Sequence, residues 1–160
     1  GMGLAPTLRI GGKNGVKRSV LVEGEGGPLG LVVAPANVHD TKLLSQTLDA
    51  VVVERPQPTP KAPQNLCLDK GYDNPSGEGA ALDHGYRPHI RRIGEEKLDQ
   101  RGRKRHPARR WVVERTLGWL SKCRAILVRY DKHTRNYLGL LQLACGLIWY
   151  RRACRLGVLR

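Results

Sequence analysis

The sequence predicts an α/β fold, a mixed sheet with helices packed against it. Three observations carry the prediction: β-branched runs split by turn signals in the first third, apolar residues at helical spacing in the middle and the last third, and their order along the chain, ββα, then βα, then β, then αα. A chain of 160 residues suits one domain with a single core, since a domain of that size buries roughly two thirds of its unfolded surface.

The elements follow in order. The opening GMG is set aside, and residues 1–12 read as an irregular leader. Residues 17–23, KRSVLVE, and 29–33, LGLVV, are two antiparallel strands, and GEGGP between them is a hairpin signal. ANVHDTKLLSQTLDAVV places Asp40 or Thr41 as the N-cap of a helix whose apolar face is Leu43, Leu44, Leu48 and Val51. RPQPTPKAP holds four prolines in nine residues and is a surface connection, because proline supplies no amide to a helix or a central strand. NLCLD is a strand, residues 78–84 are a short helix, and YRPHI is a further short strand. Residues 91–110 are charged and nearly free of large apolar side chains, which predicts a basic loop over 91–106. A helix opens at Pro107 and carries Val113, Leu117 and Leu120 on one face. A last helix over 134–155 packs through Leu138, Leu141, Ala144, Leu147 and Ile148.

Charge narrows the partners. Lys and Arg number 28 against 14 Asp and Glu, a formal net charge of +14, and the cations gather in blocks. A polyanion is the natural partner, and nucleic acid is the commonest one. Cys67, Cys123, Cys145 and Cys154 form no CxxC pair and stand at no metal-ligand spacing with histidine, so they read as reduced thiols. No signal-peptide pattern and no apolar run of about 20 residues is present, which predicts a cytoplasmic protein without a membrane span.

Two carboxylates stand where chemistry is plausible. Asp69 ends a strand with apolar Leu66 and Leu68 inside it, and strand ends are where ligands collect in open α/β sheets. Glu114 sits in a helix of bulky apolar and basic residues, with Arg110 one turn before it and Gly118 one turn after. Together they could hold Mg²⁺ or Mn²⁺, which take oxygen ligands and leave positions for phosphate and water. The structural alternatives are a turn capped by Asp69 through Gly71 or Tyr72, and a pairing of Glu114 with Arg110 or Arg115. Spacing does not choose between them. Trp111 and Trp119 share one helical face, which favours packing over base stacking. Lys70, Arg110, Arg115, Lys122, Arg124 and Arg129 flank the acids; phosphate contact and solvated helix faces are both open readings. Arg91, Arg92, Arg101, Arg103, Lys104 and Arg105 read as an electrostatic clamp. The five histidines are scattered and none is assigned to catalysis.

The stretches LCLDKGYD, GYRPHI, RRWVVERTLGWLSKCRAILVRYDK and NYLGLLQLACGLI resemble, in order, the C-terminal catalytic region of bacterial insertion-sequence transposases of the DDE class, in the group of insertion sequences four and five. GVKRSVLVEGEGGPLGLVVAPANVHDTKLL resembles their upstream hairpin and first helix. The resemblance implies a ribonuclease H-like core in which two Asp and one Glu bind two divalent ions, Mg²⁺ with Mn²⁺ as substitute, and cut and join DNA at the terminal inverted repeats. By the same resemblance Asp69 is the second Asp, Glu114 is the Glu, and the basic residues above contact DNA. The first Asp belongs on a central strand upstream of the hairpin, where this sequence has GMGLAPTLRIGGKNG and no acid before Glu23. Asp40 is a substitute candidate, better explained by capping. The expectation is therefore a ribonuclease H-like mixed sheet flanked by helices, N-terminally truncated, lacking its first central strand, and inactive alone. The alternative is an inactive DNA-binding remnant or a regulator of an intact transposase, acting through a homodimer or that transposase at the nucleoid.

Overall fold

The computed structural model describes residues 2–5, 15–90 and 110–159; the basic loop expected at 91–106, Pro107 and most of the leader lie outside the described residues. The described strands form one mixed sheet: β1 (Met2–Ala5), β2 (Val16–Val22), β3 (Pro28–Pro35), β4 (Asn65–Leu68) and β5 (Arg87–Ile90), in spatial order β3-β2-β1-β4-β5. β1 and β3 run antiparallel to β2, whereas β4 runs parallel to both β1 and β5.

The expectation of a missing central strand is corrected here, and with it the irregular leader. β1 fills the centre, with Gly3 opposite Val22 on one side and Cys67 on the other. Four residues, MGLA, are too few to show a period. What makes them a strand is the pair of neighbours whose backbone groups need partners.

Alternation along β2 separates two cores. Val20 and Val22 face α3 (Arg110–Ser121), α4 (Arg124–Leu127) and α5 (Thr134–Arg155), in a cluster with Val113, Leu120, Ile126 and Leu141. Leu21 faces α1 (Asp40–Asp49) and α2 (Pro75–Asp83), in a cluster with Leu44, Leu66, Tyr72 and Tyr86. The molecule is thus a sheet between two helical layers.

Three local readings change. The cap of α1 is His39, whose Nδ1 accepts from the Thr41 amide at 3.4 Å, and Asp40 becomes the first helical residue. Its carboxylate is drawn instead to Lys17 Nζ, 2.9 Å away. The helix expected to run on from Pro107 breaks at Lys122–Cys123, where the Lys122 and Cys123 amides bond three residues back, to Trp119 and Leu120. The break turns Ile126 into the core, and Tyr137 Oη donates to its carbonyl at 2.9 Å. In α5 the buried stripe is Tyr137, Leu141 and Ala144, while Leu147 is 47 % exposed.

The β2–β3 turn is tied down from the α3–α5 side. Gly26 adopts φ +90°, where a side chain would be strained, and its carbonyl accepts from Thr116 Oγ1 at 2.7 Å. Arg152 pairs with Glu23 at 2.5 Å and Trp149 Nε1 donates to the Pro28 carbonyl at 2.7 Å.

On the opposite layer His84 joins α1 to α2. One ring nitrogen contacts Asp49 Oδ1 at 2.9 Å and the other the Ala80 carbonyl at 2.7 Å. Only the imidazolium donates to both acceptors. Burial works against that proton, but the two hydrogen bonds and the Asp49 charge raise the pKa above its ordinary value. A raised folded pKa means the contribution is complete below about pH 6.5, the unfolded value, and is lost as pH climbs through the folded one. Asp49→Asn is therefore expected to cost stability at pH 5.5 and almost none at pH 8.5, read from denaturant midpoints. The effect is small because Asp49 is 68 % exposed and water screens it.

Candidate active site

The site starts at the end of β4. Leu66 and Leu68 are buried, and past Leu68 the chain leaves the sheet at Asp69. The Asp69 carboxylate accepts from the Lys70 amide at 2.9 Å, and its carbonyl accepts from the Tyr72 amide at 2.9 Å. These bonds cap a single tight turn, Lys70–Tyr72, and answer in part why a buried strand ends on an acid. Tyr72 drives its ring into the core beneath α1 and α2, 2 % exposed. Burial, then the charges of Asp40 and Asp69, push its hydroxyl well above the usual tyrosine range. The corner is thus anchored from below, and Asp69 remains half-buried at the rim.

Asp40 is near enough to Tyr72 to be felt electrostatically. It is nevertheless held by Lys17 at the head of α1.

α3 lies across β1 and β2, while α5 lies across β3. Val112, Val113, Thr116, Leu117 and Leu120 are its buried residues. Glu114 and Arg115 flank that stripe on opposite sides, since each helical step turns about 100°. Arg115 points to the α5 side: Nη2 donates to the Glu25 carbonyl at 2.6 Å, and Arg115 and Trp119 line a cleft with Ile148 and Arg152 of α5. Glu114 is exposed on the other flank of α3.

In the central register Met2 pairs with Leu66 and Gly3 with Cys67. Ala5 stands opposite Val20.

A divalent ion suits the donor set in kind, because both candidate ligands are carboxylates and Mg²⁺ is commonly held by one or two carboxylates plus substrate phosphates and water. Among the described residues no group of three or more His, Cys, Asp or Glu gathers around one point. Asp69 and Glu114 would be the protein's share of such a site.

The basic residues separate by what they already do. Lys70 is exposed beside Asp69. Lys122 and Arg124 are exposed too, beyond the far end of α3 and on the order of 12 Å along the chain from Glu114. The Arg115 guanidinium lies over the Trp111 and Trp119 rings, at 4.7 and 4.9 Å from their centroids. Trp111 is 56 % exposed and carries the Arg115 guanidinium on its ring. Arg129 donates to the carbonyls of Asp131 and Lys132 at 2.8 and 3.0 Å and braces the loop before α5. Arg110 opens α3, and its side chain lies outside the described residues.

Reasoning from sequence passed over Lys17 and Arg18, which are 6 % and 2 % exposed in β2. The signal was there: two adjacent cations heading a β-branched strand, one for each face.

Residues 8–149 match the family model described as the transposase DDE domain. The chain is also 31 % identical over 146 residues to a putative transposase for insertion sequence element IS402 of Burkholderia cepacia, an alignment that covers 89 % of this chain and 65 % of that protein. The chain therefore spans slightly less than two thirds of the relative's length.

Proposed function

The chain belongs to the transposase DDE domain family, and from that premise we propose that Asp69 and Glu114 form the carboxylate pair at which a DNA phosphodiester is cut and joined. What supports this reading is that Asp69 follows the end of β4, half-buried, and that Glu114 is exposed on α3, the helix that crosses β1 and β2. The strand order β3-β2-β1-β4-β5, with an antiparallel hairpin on one side of β1 and parallel strands on the other, supports a ribonuclease H-like arrangement.

In this reading Asp69 and Glu114 would hold a Mg²⁺ or Mn²⁺ ion, which would supply Lewis-acid activation of an attacking hydroxyl and charge neutralisation at the leaving oxygen. The protein's own groups do the positioning. The Lys70 amide orients the Asp69 carboxylate through its 2.9 Å bond, and the buried Tyr72 ring stiffens the corner below it. Lys70, exposed one residue on, meets the phosphate backbone, with Lys122 and Arg124 extending the track. The partner is the double-stranded DNA of terminal inverted repeats, bound by a dimer or beside an intact transposase in the cytoplasm. No described helix is long and apolar enough to cross a membrane.

A second reading is favoured by a specific observation: the central strand β1, MGLA, carries no acid. A carboxylate pair without a third member holds metal weakly. The chain then serves as a DNA-binding regulator with little turnover of its own.

Asp69→Asn tests the metal pair, because the amide oxygen still accepts from the Lys70 amide and the fold is kept. Mn²⁺ affinity, measured by calorimetry or electron paramagnetic resonance, is expected to fall about tenfold or more, and Glu114→Gln to do the same. Unchanged Mn²⁺ binding in both variants removes the pair as a metal site.

A further inference from the structure

The outer face of α5 keeps apolar side chains in solvent. Leu140, Leu143, Leu147, Tyr150 and Cys154 follow at spacings of three, four, three and four, the repeat by which two helices pack along a seam. A solvated helix face ordinarily carries charges. Residues 136–150 contain none. Leu143, Tyr150 and Leu147 are 63 %, 58 % and 47 % exposed, and Cys154 is exposed too. A Cβ added to Gly139 or Gly146, one heptad apart beside the stripe, would meet nothing within 4 Å, so a second backbone has room to come close. The inner face, Tyr137, Leu141 and Ala144, already serves the core.

Beside the stripe a cleft of about 750 Å³ opens between α5 and the end of α3, where Trp119 and Leu120 line it together with Leu147 and Cys154. Leu147 and Cys154 belong to both, so stripe and cleft form one surface. An exposed apolar surface of this extent marks a protein interface. Charge selects the occupant. The cations near the cleft, Lys122, Arg151 and Arg155, follow or close the C-terminal ends of α3 and α5, where helix dipoles favour them. Along the stripe itself an acidic partner would find no cation. What complements an uncharged heptad stripe is another of the same kind, and a second copy of the chain supplies one. Two copies, each of net charge +14, repel over most of their surface. The uncharged length of α5 lets them approach at low cost.

We propose that the outer face of α5 is an interface between two copies of this chain, packed antiparallel about a two-fold axis near Leu147. A two-fold contact uses the same patch on both copies, as a single self-complementary stripe requires. Parallel packing would set the two groups of arginines side by side. Antiparallel packing sets each group beside the uncharged first half of the other helix and aligns the helix dipoles favourably. In that register Cys154 of one copy comes level with Leu140 of the other. α5 lies across β3 at one edge of the sheet, whereas Asp69 follows β4, on the far side of β1. Both acid corners therefore stay open. On the DNA-cleaving reading, which the interface itself does not need, the two-fold that relates the corners matches a pair of inverted DNA ends.

Analytical ultracentrifugation of the native chain is expected to show a dimer at about 20 µM. Leu147→Glu and Tyr150→Glu are each expected to raise its dissociation constant about tenfold or more and to leave the far-ultraviolet circular dichroism unchanged, because both positions face solvent. Each substitution lowers the net charge, so general repulsion between copies does not explain the loss. Orientation is read with a short bifunctional maleimide. Leu140→Cys is expected to yield a cross-linked dimer that disappears when Cys154→Ser is added. The native chain is expected to give no link through Cys154, since antiparallel packing holds the two copies of that residue about 21 Å apart. A native link that Cys154→Ser removes would show parallel packing and overturn the proposal. So would a dimer that resists both glutamate substitutions, or a native chain still monomeric at about 200 µM. A monomer that instead sediments with phosphatidylglycerol vesicles would give the face to a lipid surface. A dimer lost in both variants, yet without DNA binding, is a failure of the DNA-cleaving reading alone.

Discussion

Replacing Ala5 with aspartate is expected to raise Mn²⁺ affinity by about tenfold or more and to bring phosphodiester cleavage in Mg²⁺ above the level of the native chain. The reason is that β1 runs parallel beside β4, and residue 5 ends β1 as Asp69 follows the end of β4. Adjacent strands are about 4.8 Å apart, a spacing at which two carboxylates can share one cation. Asp69→Asn in the Ala5→Asp background is expected to abolish the gain. Adding Arg18→Met separates metal binding from any new pairing between Asp at position 5 and the buried guanidinium on the neighbouring strand. The measurements are Mn²⁺ calorimetry and nicking of an end-labelled duplex. A folded Ala5→Asp chain that binds Mn²⁺ no better than the native one would show that β1 does not face the acid site.

Gly77→Ala is expected to destabilise the protein by about 3 kcal/mol, or roughly 6–12 °C in melting temperature for a domain of this size. A Cβ at Gly77 would lie 2.4 Å from the Tyr72 carbonyl oxygen and 3.2 Å from its carbon. Backbone, unlike a flexible side chain, cannot simply swing away. The first turn of α2 must back off from the Lys70–Tyr72 turn, or the turn must move and carry Asp69 with it. Mn²⁺ binding should therefore weaken along with stability. Gly79→Ala, two residues on, meets nothing within 4 Å and is expected to stabilise α2 by up to about 1 kcal/mol. Equal melting temperatures for Gly77→Ala and the native chain would refute the tight seating of α2 on the site corner. Asn74 gives α2 its direction onto that corner, its side chain accepting from the Gly77 amide at 2.9 Å.

Much of this could be read from residue order. The β2–β3 hairpin, the turn at Gly26, the proline-rich connection and α5 over 134–155 follow from local patterns, because turns and amphipathic helices are set by neighbours within a few residues. DKGYD was legible as a polar corner after a buried strand, and RWVVERT as a helix with one acid among apolar and basic residues. The break after α3 was not legible, because it serves the burial of Ile126 against Tyr137, a contact between separate helices.

By itself, the sequence determined the α/β class, the basic character and the family, all of which rest on residue identity and short-range patterns. Only the tertiary structure decided that MGLA is the central strand, that Ala5 stands opposite Val20, and that Arg115 and Arg129 donate to backbone carbonyls. It likewise decided that Arg18 is buried without a partner among the described residues. The reason is common to all four. A strand register and the burial of a charge are properties of what the rest of the chain brings alongside, over separations that no local pattern encodes.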